Sequence, residues 1–167
     1  RQLASSSAPR EKTGRAVRVY VLVGRPEDME CATRAASLLN ALAPAVDVLF
    51  DPDAWHCAHD DGEPALSTHL AWSIRRAHVC VILAGCSPSA SPWLRFQIEE
   101  ALEQDKRLLV LAPERSSVFR AELERVSNPL CEFDLQDEVP CLAVGDSTCP
   151  EEMFEWLRSA PRAHTVL

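Results

Sequence analysis

Short, apolar, β-branched runs alternate with stretches of helical period, and this alternation constrains the fold more than any other feature of the chain. VRVYVLV (Val17 to Val23) and VDVLF (Val46 to Phe50) are too short for helices and rich in residues that suit a pleated, buried surface. VCVILAG (Val79 to Gly85) and RLLVLA (Arg107 to Ala112) read the same way, and CEFDL or VPCLAV supplies a fifth strand. Between the first two, Pro26, Glu27 and Asp28 open a helix with Cys31, Ala35, Leu38 and Leu42 on one stripe, ending near Pro44. Pro64 opens another, with Leu66, Leu70, Ile74 and Ala77 inward, and Ser116 to Val126 forms a shorter one. Thr148-Cys-Pro-Glu151 has the spacing of a capping box ahead of a last helix, with Met153, Trp156 and Leu157 inward. Strand and helix repeated in this way imply a flavodoxin-like doubly wound parallel sheet of about five strands with helices on both faces. In such a sheet, ligands and partners meet the loops at the carboxyl ends of the strands. Three loops qualify: Gly24 to Asp28, Asp51 to Pro64, and Gly85 to Pro92.

The ends of the chain break the pattern. Residues 1–15 have no apolar period, three consecutive serines and four basic residues against one acidic, which reads as a solvated tail or linker. The domain is expected over residues 16–160, with a short tail at 161–167 whose Thr165-Val166-Leu167 fits a carboxy-terminal PDZ ligand. Opening on Arg1 with no signal-peptide pattern, the sequence is expected to be an excerpt of something longer.

Charge and cysteine usage narrow the function. A formal charge of −8 over 167 residues argues against a nucleic-acid binder, which normally shows a basic stripe. No apolar run approaches the roughly 20 residues that span a bilayer, so no direct membrane insertion is expected. The seven cysteines include no C-x-x-C pair, which weakens zinc and redox readings. Cys80 and Cys141 lie in strand-like runs and are expected to be buried, reduced thiols of a cytosolic compartment.

Most catalytic and cofactor chemistry is poorly served. His56, Cys57, His59, Asp60 and Asp61 crowd one stretch, too few residues to wrap a tetrahedral metal without a second cluster, and no metal is expected. Neither G-x-G-x-x-G nor G-x-x-x-x-G-K-S/T occurs, so no nucleotide cradle and no cofactor is expected. A receiver domain would need an aspartate after the third strand, which ends Leu83-Ala84-Gly85. Cys86 or Ser87 with His69 or His78 would make a nucleophile and base, although the spacing forces no such meeting.

SPWLRFQIEEAL (Ser91 to Leu102) carries the sharper signal. Ser91 suits an N-cap, Pro92 a first turn, and Trp93 a cover for the helix start. At helical spacing Leu94, Gln97, Ile98 and Ala101 share one face, whereas Arg95, Glu99, Glu100 and Glu103 point mostly elsewhere. An amide therefore sits among apolar residues.

Three blocks together resemble a TIR domain, the Toll/interleukin-1 receptor module. VRVYVLVGRPEDMECATRAASLLN resembles its first strand, acidic loop and first helix. DDGEPALSTHLAWSIRRAHVCVILAGCSPS resembles its second-helix block, and SPWLRFQIEEALEQDKRLLVL the tryptophan-led block after the third strand. Val23-Gly24 stands where the family usually has a serine, and Asp-Gly-Glu-Pro replaces the common Pro-Gly. VDVLFDPDAW also resembles the related SEFIR domain of interleukin-17 receptors, with Asp51 and Trp55 in matching places. The tryptophan block favours TIR.

Both resemblances imply a cytoplasmic interaction domain of a receptor or adaptor that assembles complexes with other TIR- or SEFIR-type domains, self-association included. The implied partner surface is the loop after the second strand: Asp53, Trp55, His56, His59, Asp60, Asp61, Gly62, Glu63 and Pro64, with Trp55 as its aromatic anchor if exposed. Some TIR domains cleave NAD with a glutamate four residues after the block's tryptophan. Here that place, beside Trp93, holds Gln97, so the resemblance implies a pseudo-active site without catalysis. An NAD hydrolase would have to use Glu100 instead.

Overall fold

The computed structural model describes residues 15–85, 88–113, 128–139, 141–144 and 148–162. Five parallel strands form one sheet: β1 (Val17–Val21), β2 (Val46–Val48), β3 (Val79–Leu83), β4 (Arg107–Pro113) and β5 (Cys141–Val144), in the order β2-β1-β3-β4-β5. That is the flavodoxin-like order. VPCLAV, not CEFDL, supplies the fifth strand, since Pro129–Phe133 is a 3-10 turn. Every residue of β3 is buried, as a central parallel strand covered on both faces requires. Cys80 is its second residue, with its thiol pushed up to about 12 by burial and therefore inert at neutral pH. Cys141, on the edge strand β5, is exposed, contrary to the expectation, because an edge strand lacks a neighbour on one side.

The helices are α1 (Met29–Asn40), α2 (Pro52–Asp61), α3 (Glu63–Arg76), α4 (Pro92–Glu103) and α5 (Pro150–Arg158). In α3, Leu66, Leu70 and Ile74 are buried, and Ala77 just beyond it. Of the expected α1 stripe, Ala35 and Leu42 are buried and Cys31 and Leu38 half-buried, and Met29, Ala32, Ala36 and Leu39 complete the inward face. Pro26–Asp28 forms a separate 3-10 turn, so α1 begins three residues later than the proline suggests. For α5, Cys149 occupies the N-cap position without a side-chain capping bond, and Met153 and Leu157 face inward.

One correction concerns Asp51 to Pro64, expected as a polar loop and found as α2 plus the tight corner into α3. Asp51 Oδ1 accepts from Asp53 N at 3.0 Å and from Ala54 N at 3.2 Å, and Pro52 fills the first turn. The expected helix Ser116 to Val126 lies outside the described residues, as do Cys86, Ser87 and the terminal Thr165-Val166-Leu167. Among the described residues no helix is long and apolar enough to cross a membrane.

Candidate functional site

In this strand order the switch point lies between β1 and β3, the place where such sheets take their ligands. There the chain packs against itself. Ser91 caps α4, its Oγ accepting from Leu94 N at 3.3 Å, and this fixes the helix start beside the end of β1. The backbone of Gly24 lies so close that a Cβ on it would stand 2.1 Å from Ser91 Oγ and 2.8 Å from Leu94 Cβ. Glycine at that position is a packing requirement.

Leu94, Gln97, Ile98 and Ala101 are all buried, as the 3.6-residue period predicts. Gln97 has no exposed surface at all. Its Nε2 donates to Val23 O at 2.8 Å and to Trp93 O at 3.1 Å. Its Oε1 is buried with no partner among the described residues. The amide thus ties the end of β1 to the first turns of α4, filling both acceptors with its two N–H bonds. Glu100, the alternative carboxylate, accepts from Gln104 Nε2 at 2.9 Å. It lies one turn farther along α4, which runs away from the carboxyl edge, at roughly 1.5 Å per residue.

The expected partner surface divides in two. Trp55 is entirely buried, which removes it as an exposed anchor. It stacks on His59 (centroids 5.1 Å apart, planes 13° apart) and meets His56 edge-on at 5.5 Å, and its Nε1 is buried without an acceptor among the described residues. Asp53, His56, His59, Asp60, Asp61, Glu63 and Pro64 are exposed, and Gly62 is half-buried at the corner with φ 108°. That φ is one glycine adopts without strain. Beside this corner, Glu63, Pro92, Trp93 and Phe96 line a shallow cavity of about 360 Å³. Trp93 and Phe96 meet edge-on at 5.7 Å. The half-buried aromatic next to the acidic helix is therefore Trp93, which the sequence places at the helix start and the TIR resemblance in the pseudo-active site.

His78 immediately precedes β3. Its Nδ1 accepts from Arg18 N at 2.9 Å at the opposite, amino edge of the sheet. Burial lowers the pKa of His69, with Asp51 opposing. Among the described residues no group of three or more His, Cys, Asp or Glu is placed to hold a metal.

A five-stranded parallel sheet in this order, with the tryptophan-led helix packed at its switch point, defines a TIR-like doubly wound domain. The family described as "Thoeris protein ThsB, TIR-like domain" matches residues 33–117, half of the chain, and the chain belongs to that family. No curated protein sequence matches it. Among solved structures, the Clostridium botulinum CMP N-glycosidase BcmB is similar, at 16% identity over 84% of this chain and 97% of that one, with a TM-score of 0.39. A likeness that distant does not bear on what this chain acts upon.

Proposed function

We propose that the chain is a cytoplasmic signalling interaction domain of a receptor or adaptor, and that it assembles complexes with other TIR- or SEFIR-type domains without catalysing a reaction. One observation carries this reading: the position at which a TIR-type NAD hydrolase would present a carboxylate holds a fully buried amide, committed by two donated hydrogen bonds to main-chain carbonyls. Loss of a nicotinamide leaves positive charge on the ribose, and a positioned carboxylate stabilises it electrostatically. Glutamine has no such charge, and losing one such contact costs about 10²–10³ in rate. Reading the chain as a hydrolase through Glu100 is disfavoured by that side chain's bond to Gln104.

The interaction half rests on the exposed acidic side of α2 beside the Trp93–Phe96 pair. Such a surface favours a basic partner, steering encounter and register. The deciding measurement is nicotinamide release from NAD by the purified chain at high protein concentration, expected at background. Turnover by the native sequence that is abolished in Glu100→Ala would overturn the proposal.

A further inference from the structure

The amino edge of the sheet carries a second, unrelated feature. Beneath the starts of β1, β3 and β4 lies a cleft of about 470 Å³, within the size range of small-molecule sites. Its charged walls are Lys106, Arg107, Arg158 and Arg162, with Asp105 as the one carboxylate among the described lining residues, and His78 opens onto it. On a chain of net charge −8 this is a local inversion of sign.

Two of the four cations, Lys106 and Arg107, are held by main-chain carbonyls and the other two by exposed carboxylates. Lys106 Nζ donates to Arg75 O at 2.9 Å, and Arg107 Nη1 to Arg158 O at 2.6 Å. Just outside, Arg18 Nε donates to Arg76 O at 2.6 Å. These carbonyls lie at the carboxyl ends of α3 and α5, where the helix dipole offsets part of one positive charge each. Among the described residues, Arg162 and Arg158 meet carboxylates, Asp105 at 3.4 Å and Glu155 at 3.3 Å, both exposed pairs. The remaining excess is felt locally: burial first, and neighbouring cations after it, hold His78 and Lys106 below their usual pKa values.

We propose that this cleft binds a small multivalent phosphate ligand through Lys106, Arg107, Arg158 and Arg162. Guanidinium forks match phosphoryl oxygens bidentately, and each phosphate monoester brings nearly two negative charges, enough to meet the excess left by two carbonyl-held cations and to compete with two exposed carboxylates for the other two. The cleft lies at the opposite edge of the sheet from α2 and Gln97, so it is independent of the partner surface and of the catalytic question.

The test is calorimetric titration of the full chain with inositol hexakisphosphate, inorganic tripolyphosphate and citrate. Cosedimentation with vesicles containing phosphatidylinositol 4,5-bisphosphate runs in parallel. Saturable binding of the soluble phosphates assigns a free ligand, and binding confined to the vesicles assigns a headgroup; either supports the site. Arg158→Gln with Arg162→Gln removes two exposed pairs that contribute little to folding, and it should weaken binding by about tenfold or more. Lys106→Gln should also weaken it, whereas Asp60→Lys with Asp61→Lys at the far edge should not. No binding of any phosphate probe up to about 1 mM, citrate binding as tightly as the phosphates, or full affinity in a folded Arg158→Gln, Arg162→Gln variant would each overturn the proposal.

Discussion

The side-chain amide of Gln97 reaches back 74 residues along the chain to donate to the carbonyl of Val23 at 2.8 Å. Because Trp93 O accepts its second N–H, the position asks for two donors, and among the described residues no donor meets its Oε1. A glutamate there would aim a carboxylate at two carbonyl oxygens in a site with no exposed surface. Gln97→Glu is therefore expected to cost about 3–5 kcal/mol at neutral pH. The unfolded carboxyl titrates near 4.3, and burial raises the folded value, roughly as buried carboxyls do. Between those values the folded state binds more protons, so the deficit should shrink as pH falls and be smallest below about 4.3. Denaturant melts of both proteins from pH 7 to pH 4 check this; a deficit independent of pH would mean the carboxylate has found a donor.

Gly24 makes the same joint from the other side. Gly24→Ala places a methyl 2.1 Å from Ser91 Oγ and 2.8 Å from Leu94 Cβ, and α4 must shift to admit it. The expected loss is about 1–3 kcal/mol, typical of overpacking. Ser91→Ala alone should cost about 1 kcal/mol through the lost cap. Since the two residues touch, the double variant should be less damaged than the sum, and additive losses would show that Ser91 is not what the methyl meets.

How legible all this was in the sequence depended on period. Leu94, Gln97, Ile98 and Ala101 share a face by spacing alone, and all four are buried. What spacing does not reveal is that Gln97 bonds Val23, because that contact depends on where β1 ends in space. DPDAWHCAHDD hid α2 for the opposite reason. Only Trp55 and Ala58 of that helix are buried, and Asp, His and Cys are weak helix formers. Asp51-Pro52, an N-cap followed by a first-turn proline, was the signal present and missed. Nothing in the linear pattern could gather Lys106, Arg107, Arg158 and Arg162, since Arg107 and Arg158 are 51 residues apart and meet under the sheet.

Acid should weaken the fold through His78. Burial first, then Arg18, Lys106, Arg15 and Arg107, hold its pKa below the ordinary 6.5, and its Nδ1 already accepts from Arg18 N. A histidine depressed in the folded state leaves the unfolded chain binding more protons as pH drops below 6.5. Stability is therefore complete above 6.5 and is lost on descent through and below it. The side chain is exposed, so the effect is modest. His78→Asn keeps an acceptor for Arg18 N and cannot titrate. Melting midpoints at pH 7.5 and 5.5 should lie closer together in the variant, with His69 supplying part of what remains; equal gaps in both proteins would sink the idea.

The last prediction separates α2's two faces. Trp55 is core, so Trp55→Ala should cost about 3–5 kcal/mol, whereas Trp55→Phe should cost much less because it also removes the unpartnered Nε1–H. Neither change touches the outward side of α2. If the exposed acidic side carries partner contact, Trp55→Phe should pull down a cognate TIR- or SEFIR-type domain as well as the native chain does. Asp60→Lys with Asp61→Lys reverses charge on exposed positions, so the melting midpoint should stay nearly unchanged while pull-down is lost. Trp93→Ala should reduce it too, because aromatic side chains in shallow cavities dominate interface energetics and Trp93 lines the one beside Glu63. The informative result is the contrast: a folded Asp60→Lys, Asp61→Lys variant that binds normally, with Trp93→Ala also unimpaired, would place the partner surface elsewhere on the domain.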